Sequence, residues 1–182
     1  MKAVVFLADG FEECEALIVV DILRRAGIET VMAAIGEKLE IDSSRHIEVK
    51  ADAYACDVDF NSADLIVLPG GRLGTENLRY SSIVRRAVNE FVKENKTIAA
   101  ICAAPSILAE LGLLEGKKAT CHPDYEEKMS GAVLMGDTVV ADGNIITGQG
   151  LGATFDFAFK IVNSLVGKDK PQEIKKAICY KN

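Results

Sequence analysis

An open α/β sandwich, with a mostly parallel sheet between layers of helix, is the fold this sequence predicts, and three observations predict it. Apolar runs rich in β-formers alternate with segments of helical period along the chain. The first two strand-like runs flank one amphipathic stretch of the length a parallel crossover needs. Glycine and proline punctuate the downstream ends of the strand-like runs, where such sheets bind their ligands.

Lys2 to Ala8 reads as a buried strand, Glu13 to Ala26 as a helix stopped by Gly27, and Glu29 to Ile35 as the second strand. Leu39 to Asp42 and Ile47 to Ala51 read as short edge strands around a turn, followed by an acidic loop through Asp57 and Asp59. Leu65 to Leu68 is a strand ending in Pro69-Gly70-Gly71, and Ser82 to Glu94 is an amphipathic helix. Thr97 to Ile101 is the next strand and Pro105 to Leu111 a helix stopped at Gly112, with Cys102 at the turn between them. A strand near Ala119 comes next. A hairpin then turns at Asp142-Gly143-Asn144 with Ile145 and Ile146 on its second arm, and Thr154 to Val166 is a long helix. The lysines of Lys168 to Lys176 read as a solvated segment, with a docking helix as the alternative. Three loops leave the carboxyl ends of the strands: Asp9 to Glu13, Pro69 to Gly74, and the Cys102 turn.

Composition narrows the class. The 182 residues suit one domain, 1–182, and 49% hydrophobic with 26% charged residues is the balance of a globular chain. A net charge of −6 disfavours a nucleic-acid or anionic-membrane partner and leaves small molecules as the expected ones. The five cysteines lack CxxC spacing and the N-terminus turns acidic after a few apolar residues, so a reducing cytoplasm is the expected setting.

Chemistry concentrates at Cys102. A cysteine on an abrupt strand-to-helix turn has the geometry of a nucleophile elbow, with Ala103 and Ala104 leaving the turn uncrowded and Pro105 suited to the first helical turn. Unpaired amides and the helix dipole predict a lowered thiol pKa; the bland alternative is a small core cysteine. On the first helix, Glu15 shares a stripe with Val19, Ile22, Leu23 and Ala26 and so points inward. Its carboxyl is either raised in pKa for proton transfer or an interfacial group with its head in water. Glu12 and Glu13 fit as acids complementing the helix dipole. Of the two histidines, His122 follows a strand and is either a partner of Cys102 or a turn histidine bonded to backbone. The N–H groups of Gly70, Gly71 and Ala103 offer an oxyanion hole. Neither GGRLG nor GQGLGAT satisfies a nucleotide fingerprint, and Cys121-His122 and Cys14-Glu15 lack zinc-site spacing, so no cofactor and no metal are expected.

The ordered set ADGFEECEA, RRAGI, SSR, LPGG, AAICAAP, CHPDYEEKM and GATFDFAFKIV resembles the ThiJ/PfpI superfamily, in the branch of the Parkinsonism-associated protein deglycase and its bacterial homologues. The resemblance implies a flavodoxin-like sandwich and a homodimer, the reactive cysteine at Cys102, its hydrogen-bonding carboxyl at Glu15 and a nearby imidazole at His122. Amides around Gly70, Gly71 and Ala103 would line the site, and Arg25 and Arg45 would lie near the dimer contact, where a cation could hold an anion. Gly150-Leu151-Gly152 stands where close relatives have GPG. The peptidase branch has histidine directly after the cysteine; Ala103 disfavours that activity here. The implied activity is cofactor-free chemistry on small 2-oxoaldehydes or on glycated substrates: glyoxalase III-like conversion of methylglyoxal to lactate, or deglycation. The alternative is a redox-sensing, stress-protective protein or chaperone whose cysteine is oxidised to sulfinate.

Overall fold

In the computed structural model, which describes residues 1–181, the strand-forming runs assemble into one seven-stranded sheet. In chain order the elements are β1 (Lys2–Leu7), α1 (Glu13–Arg25), β2 (Glu29–Ala34), β3 (Glu40–Asp42), β4 (Glu48–Lys50), β5 (Ala53–Tyr54) and β6 (Leu65–Leu68). There follow α2 (Arg72–Tyr80), α3 (Ser82–Lys93), β7 (Thr97–Ile101), α4 (Pro105–Glu110), β8 (Lys118–Ala119), β9 (Val133–Leu134), β10 (Val139–Asp142), β11 (Ile145–Gly148), α5 (Thr154–Val166) and α6 (Asp169–Ala177). The sheet runs β10-β11-β7-β6-β1-β2-β5, parallel throughout except for β10 against β11.

The apolar runs of β1, β6 and β7 are buried on both faces, as strands covered by helices must be. One face packs Val5, Leu7 and Val67 with α1 and α5; the other packs Phe6, Ile66 and Ile98 with α3 and α4. Strand order reverses beside β1, so the loops after β1, β6 and β7 open into one crevice at their carboxyl ends. Among the described residues no helix is long and apolar enough to cross a membrane.

The structure corrects four parts of the sequence reading. The loop expected over Pro69 to Gly74 ends early, because α2 begins at Arg72; Gly74 there packs directly on the Phe11 backbone, an approach only glycine permits. The two edge strands before the acidic loop pair with each other outside the main sheet, whose edge is β5. The lysine-rich segment is a helix docked on α5, burying Pro171 and Ile174. The remaining boundaries differ by one residue or so, as fraying ends do.

Candidate active site

Cys102 is one of four non-glycine residues with positive φ among the described residues, and the one at a strand end that opens into the crevice. Its φ is +65°, in the left-handed region that a side chain seldom occupies, so the chain turns sharply and presents the sulfur half-buried at the crevice. Two backbone bonds fix the turn: Cys102 N–H donates to the Gly148 carbonyl at 2.9 Å, and His122 N–H donates to the Cys102 carbonyl at 2.8 Å. The elbow is therefore tied to β11 on one side and to the His122 loop on the other.

Glu15 arrives from the first turn of α1, 1% exposed. Glu12 caps that helix, its carboxylate accepting the Glu15 N–H at 2.7 Å. The Glu15 carboxylate in turn accepts the Gly70 N–H at 3.0 Å and hydrogen-bonds the Cys102 thiol. Burial pushes its pKa up to about 7 against the pull of Cys102 and Gly70.

The expectation of a lowered thiol pKa is overturned. Burial, and then the facing Glu15 carboxylate, push Cys102 up to about 12, outweighing the amides of Gly71 and Ala103 that draw it down. The helix behind the turn has only six residues, and its dipole cannot offset a carboxylate in contact. The two groups behave as a pair in which ionisation of one opposes that of the other.

The amide donors divide their work. Gly71 and Ala103 reach the sulfur, whereas the Gly70 N–H, expected to join them, goes to Glu15. Gly71 has a φ of +88°, and a Cβ there would run into the Gly10–Glu12 backbone, so no other residue can offer its amide in this way.

His122 takes the turn part anticipated for it, with its ring at the edge of the crevice. Its Nδ1 accepts the Asp124 N–H at 3.3 Å, which is the turn role, while the Cδ2 edge of the ring faces the crevice. A Cβ built on Gly150 would lie 3.6 Å from that edge, 3.9 Å from the Cys102 sulfur and 3.9 Å from Glu15 Oε1. Sulfur, carboxyl and imidazole thus converge on one point. The sequence marks Gly150 only through GQGLGAT and through Gly150-Leu151-Gly152, where relatives have GPG.

Two open cavities meet at Cys102. One, of about 830 Å³, is walled by Glu12, Glu13, Cys14, Glu15, His122 and Leu151; the other, of about 670 Å³, by Asp9, Asp42, Arg72 and Leu73; Arg45 borders both. Arg25 lines neither: it sits in the last turn of α1, paired with Asp21 at 2.6 Å. Glu13, expected as a dipole acid, is buried and accepts a hydrogen bond from the Ser44 hydroxyl at 3.3 Å. Cys14 shares the larger cavity with Cys102, while Cys121 is buried with its thiol on the His122 carbonyl.

An open parallel α/β sheet that presents a cysteine on a strained strand-to-helix turn, faced by a buried carboxyl, defines a class of elbow-cysteine proteins. The chain belongs to the DJ-1/PfpI family, whose model matches residues 1–164. It is 38% identical over 179 residues to protein dj-1beta of Drosophila melanogaster, covering 97% of this chain and 96% of that one. The crystal structure of Drosophila DJ-1beta superposes with a TM-score of 0.95 at 37% identity, covering 100% of this chain and 98% of the other. Protein DJ-1 homolog B of Arabidopsis thaliana is 40% identical over 172 residues, which are 94% of this chain but 39% of that longer protein. A Caenorhabditis elegans relative named glutathione-independent glyoxalase DJR-1.2 is 32% identical over 171 residues, covering 92% of this chain and 90% of its own. The family thus includes a protein named as a glyoxalase that needs no glutathione.

Proposed function

We propose that the protein is a cofactor-independent glyoxalase that converts methylglyoxal, and early methylglyoxal adducts of amines or thiols, to lactate through a Cys102 thioester. The observation that carries the reading is the convergence of the Cys102 sulfur, the Glu15 carboxyl and the His122 ring on the space beside Gly150.

Ionised Glu15 removes the thiol proton as the sulfur adds to the aldehyde carbon, and then returns it to the new oxygen, leaving a hemithioacetal. The Gly71 and Ala103 amides stabilise the alkoxide that forms in between. Glu15 next abstracts the C–H proton of that carbon and delivers it to the neighbouring carbon. His122 moves the proton that passes from one oxygen to the other. The product is a lactoyl thioester, which water cleaves to lactate and the free thiol. Methylglyoxal and one water give lactate, so no external oxidant or reductant enters. Since the base form of Glu15 is required, kcat/KM should rise as the pH passes through about 7.

The test is lactate formation by the purified protein beside Cys102→Ala. Stoichiometric lactate from the parent and none from the variant is the expected result. Lactate from Cys102→Ala would overturn the mechanism. Sulfinate on Cys102 at low peroxide, with no lactate from the parent, would establish the redox-sensing alternative instead.

The reading includes a homodimer, with Arg25 and Arg45 near the contact. Equilibrium sedimentation is expected to give twice the chain mass. A monomer at micromolar concentration would leave Arg25, which borders neither cavity of its own chain, without a part in the site.

A further inference from the structure

We infer that Arg79 is a positioning residue, which sets the spacing of the two amide donors at the Cys102 sulfur by clamping the helix that follows Gly71 to the helix that follows Ala103. The inference rests on the reading of Cys102 as nucleophile.

The donors come from separate pieces of chain. Gly71 caps α2 and Ala103 leads into α4, so the gap between their N–H groups depends on how those helices sit against each other. Arg79, on the last turn of α2, is 9% exposed and lies across that boundary. Its Nη1 donates to Glu110, at the end of α4, and its Nη2 donates to the Ser106 hydroxyl at 2.8 Å, in the first turn of α4. Ser106, itself buried, passes the bond on: its hydroxyl donates to the Ala103 carbonyl at 2.7 Å. A continuous chain of polar contacts therefore runs from α2 to the residue whose amide touches the sulfur.

The surroundings argue for geometry over stability. A guanidinium withdrawn from water is expensive, and an apolar side chain of similar volume usually packs at least as well. The charge is compensated by Glu110, which Arg85 of α3 also holds at 3.2 Å, and by Glu76 of α2, which stands 3.5 Å from Nε without closing a hydrogen bond. This boundary keeps polar groups that a merely cohesive contact would not need. A planar guanidinium with two fixed donor edges orients two partners at once, which a lysine cannot do.

The test uses Arg79→Met, Arg79→Lys and Ser106→Ala beside the parent, with three readouts: thermal unfolding, the pH profile of Cys102 alkylation by iodoacetamide, and kcat and KM for methylglyoxal. With the amides displaced, thiolate is less favoured. The expected result is an alkylation profile about threefold or more lower in rate between about pH 7 and pH 9, the effect of about half a unit in the thiol pKa, and a kcat reduced about tenfold with KM within about twofold. Arg79→Lys should recover melting temperature but not the profile. Should Arg79→Met not fold, Ser106→Ala keeps the Arg79–Glu110 pair and still cuts the link to Ala103. A folded Arg79→Met or Ser106→Ala with parental alkylation profile and kcat overturns the inference. If the parent makes no lactate, the proposed function fails, and the alkylation profile still decides whether Arg79 positions the donors.

Discussion

Glu15→Gln is expected to abolish lactate formation and at the same time to make Cys102 react faster with iodoacetamide at neutral pH. The two effects point in opposite directions because Glu15 has two opposed influences on the sulfur. In the proposed reaction it is the base that moves the protons, and a positioned acid–base group contributes on the order of 10² to 10⁴ in rate. As a neighbouring charge it holds the thiol up at about 12, behind burial alone in importance. Glutamine keeps the acceptor that the Gly70 N–H needs and removes the charge. Each unit by which the thiol pKa falls gives about tenfold more thiolate near neutrality, so alkylation should accelerate by about tenfold or more while kcat drops at least about 100-fold. Retained turnover, or slower alkylation, would show that the pair is not coupled in this way.

The same substitution alters how stability depends on pH. A carboxyl held at about 7 in the folded chain, against 4.5 ordinarily, binds its proton more tightly folded than unfolded. Its contribution is fully present below about pH 4.5 and is lost as the pH rises through about 7, on the order of 3 kcal/mol at most. Glu15→Gln should therefore melt closer to the parent at pH 5 and above it at pH 8.

How much of this was legible in the sequence depended on whether the signal was local. The α5 helix was readable to the residue because its apolar period is long and uninterrupted. α2 was not, since Gly71-Arg72-Leu73-Gly74 reads as a turn, and the glycine at 74 answers to the Phe11 backbone from another loop. Glu15 was legible as inward-facing from its stripe alone. The direction of the Cys102 pKa is not legible, because the turn's own amides are visible in sequence while the depth of burial and the contact with Glu15 are tertiary. Gly70 reads as a donor, but its acceptor lies on α1. Arg79 carries no signal of its own in the sequence, because the Ser106 hydroxyl it binds comes from α4.

Two alanine substitutions, each adding one methyl beside the same sulfur, should fail for different reasons. At Gly70 the new Cβ would meet the Cys102 Cβ at 2.5 Å and crowd the Glu15 carboxylate closer still. Cys102 Cβ is fixed by a strained backbone, so it cannot swing aside, and the β6 loop must move instead. Overpacking of this kind costs roughly 1–3 kcal/mol, and it pushes apart the carboxyl and thiol that must exchange a proton. Gly70→Ala should melt several degrees lower and lose turnover about 100-fold or more. At Gly150 the backbone is extended, a conformation any residue adopts, and the methyl would sit at ordinary contact distance from sulfur, carboxyl and imidazole. Gly150→Ala should melt like the parent. Yet its methyl fills the space beside the sulfur that the proposed aldehyde would enter, and kcat/KM should fall about tenfold or more. A fully active Gly150→Ala would mean that the substrate approaches Cys102 from the other cavity, the one walled by Arg72 and Leu73. A fully active Gly70→Ala would mean that the contact between Glu15 and Cys102 is not the one that moves the proton.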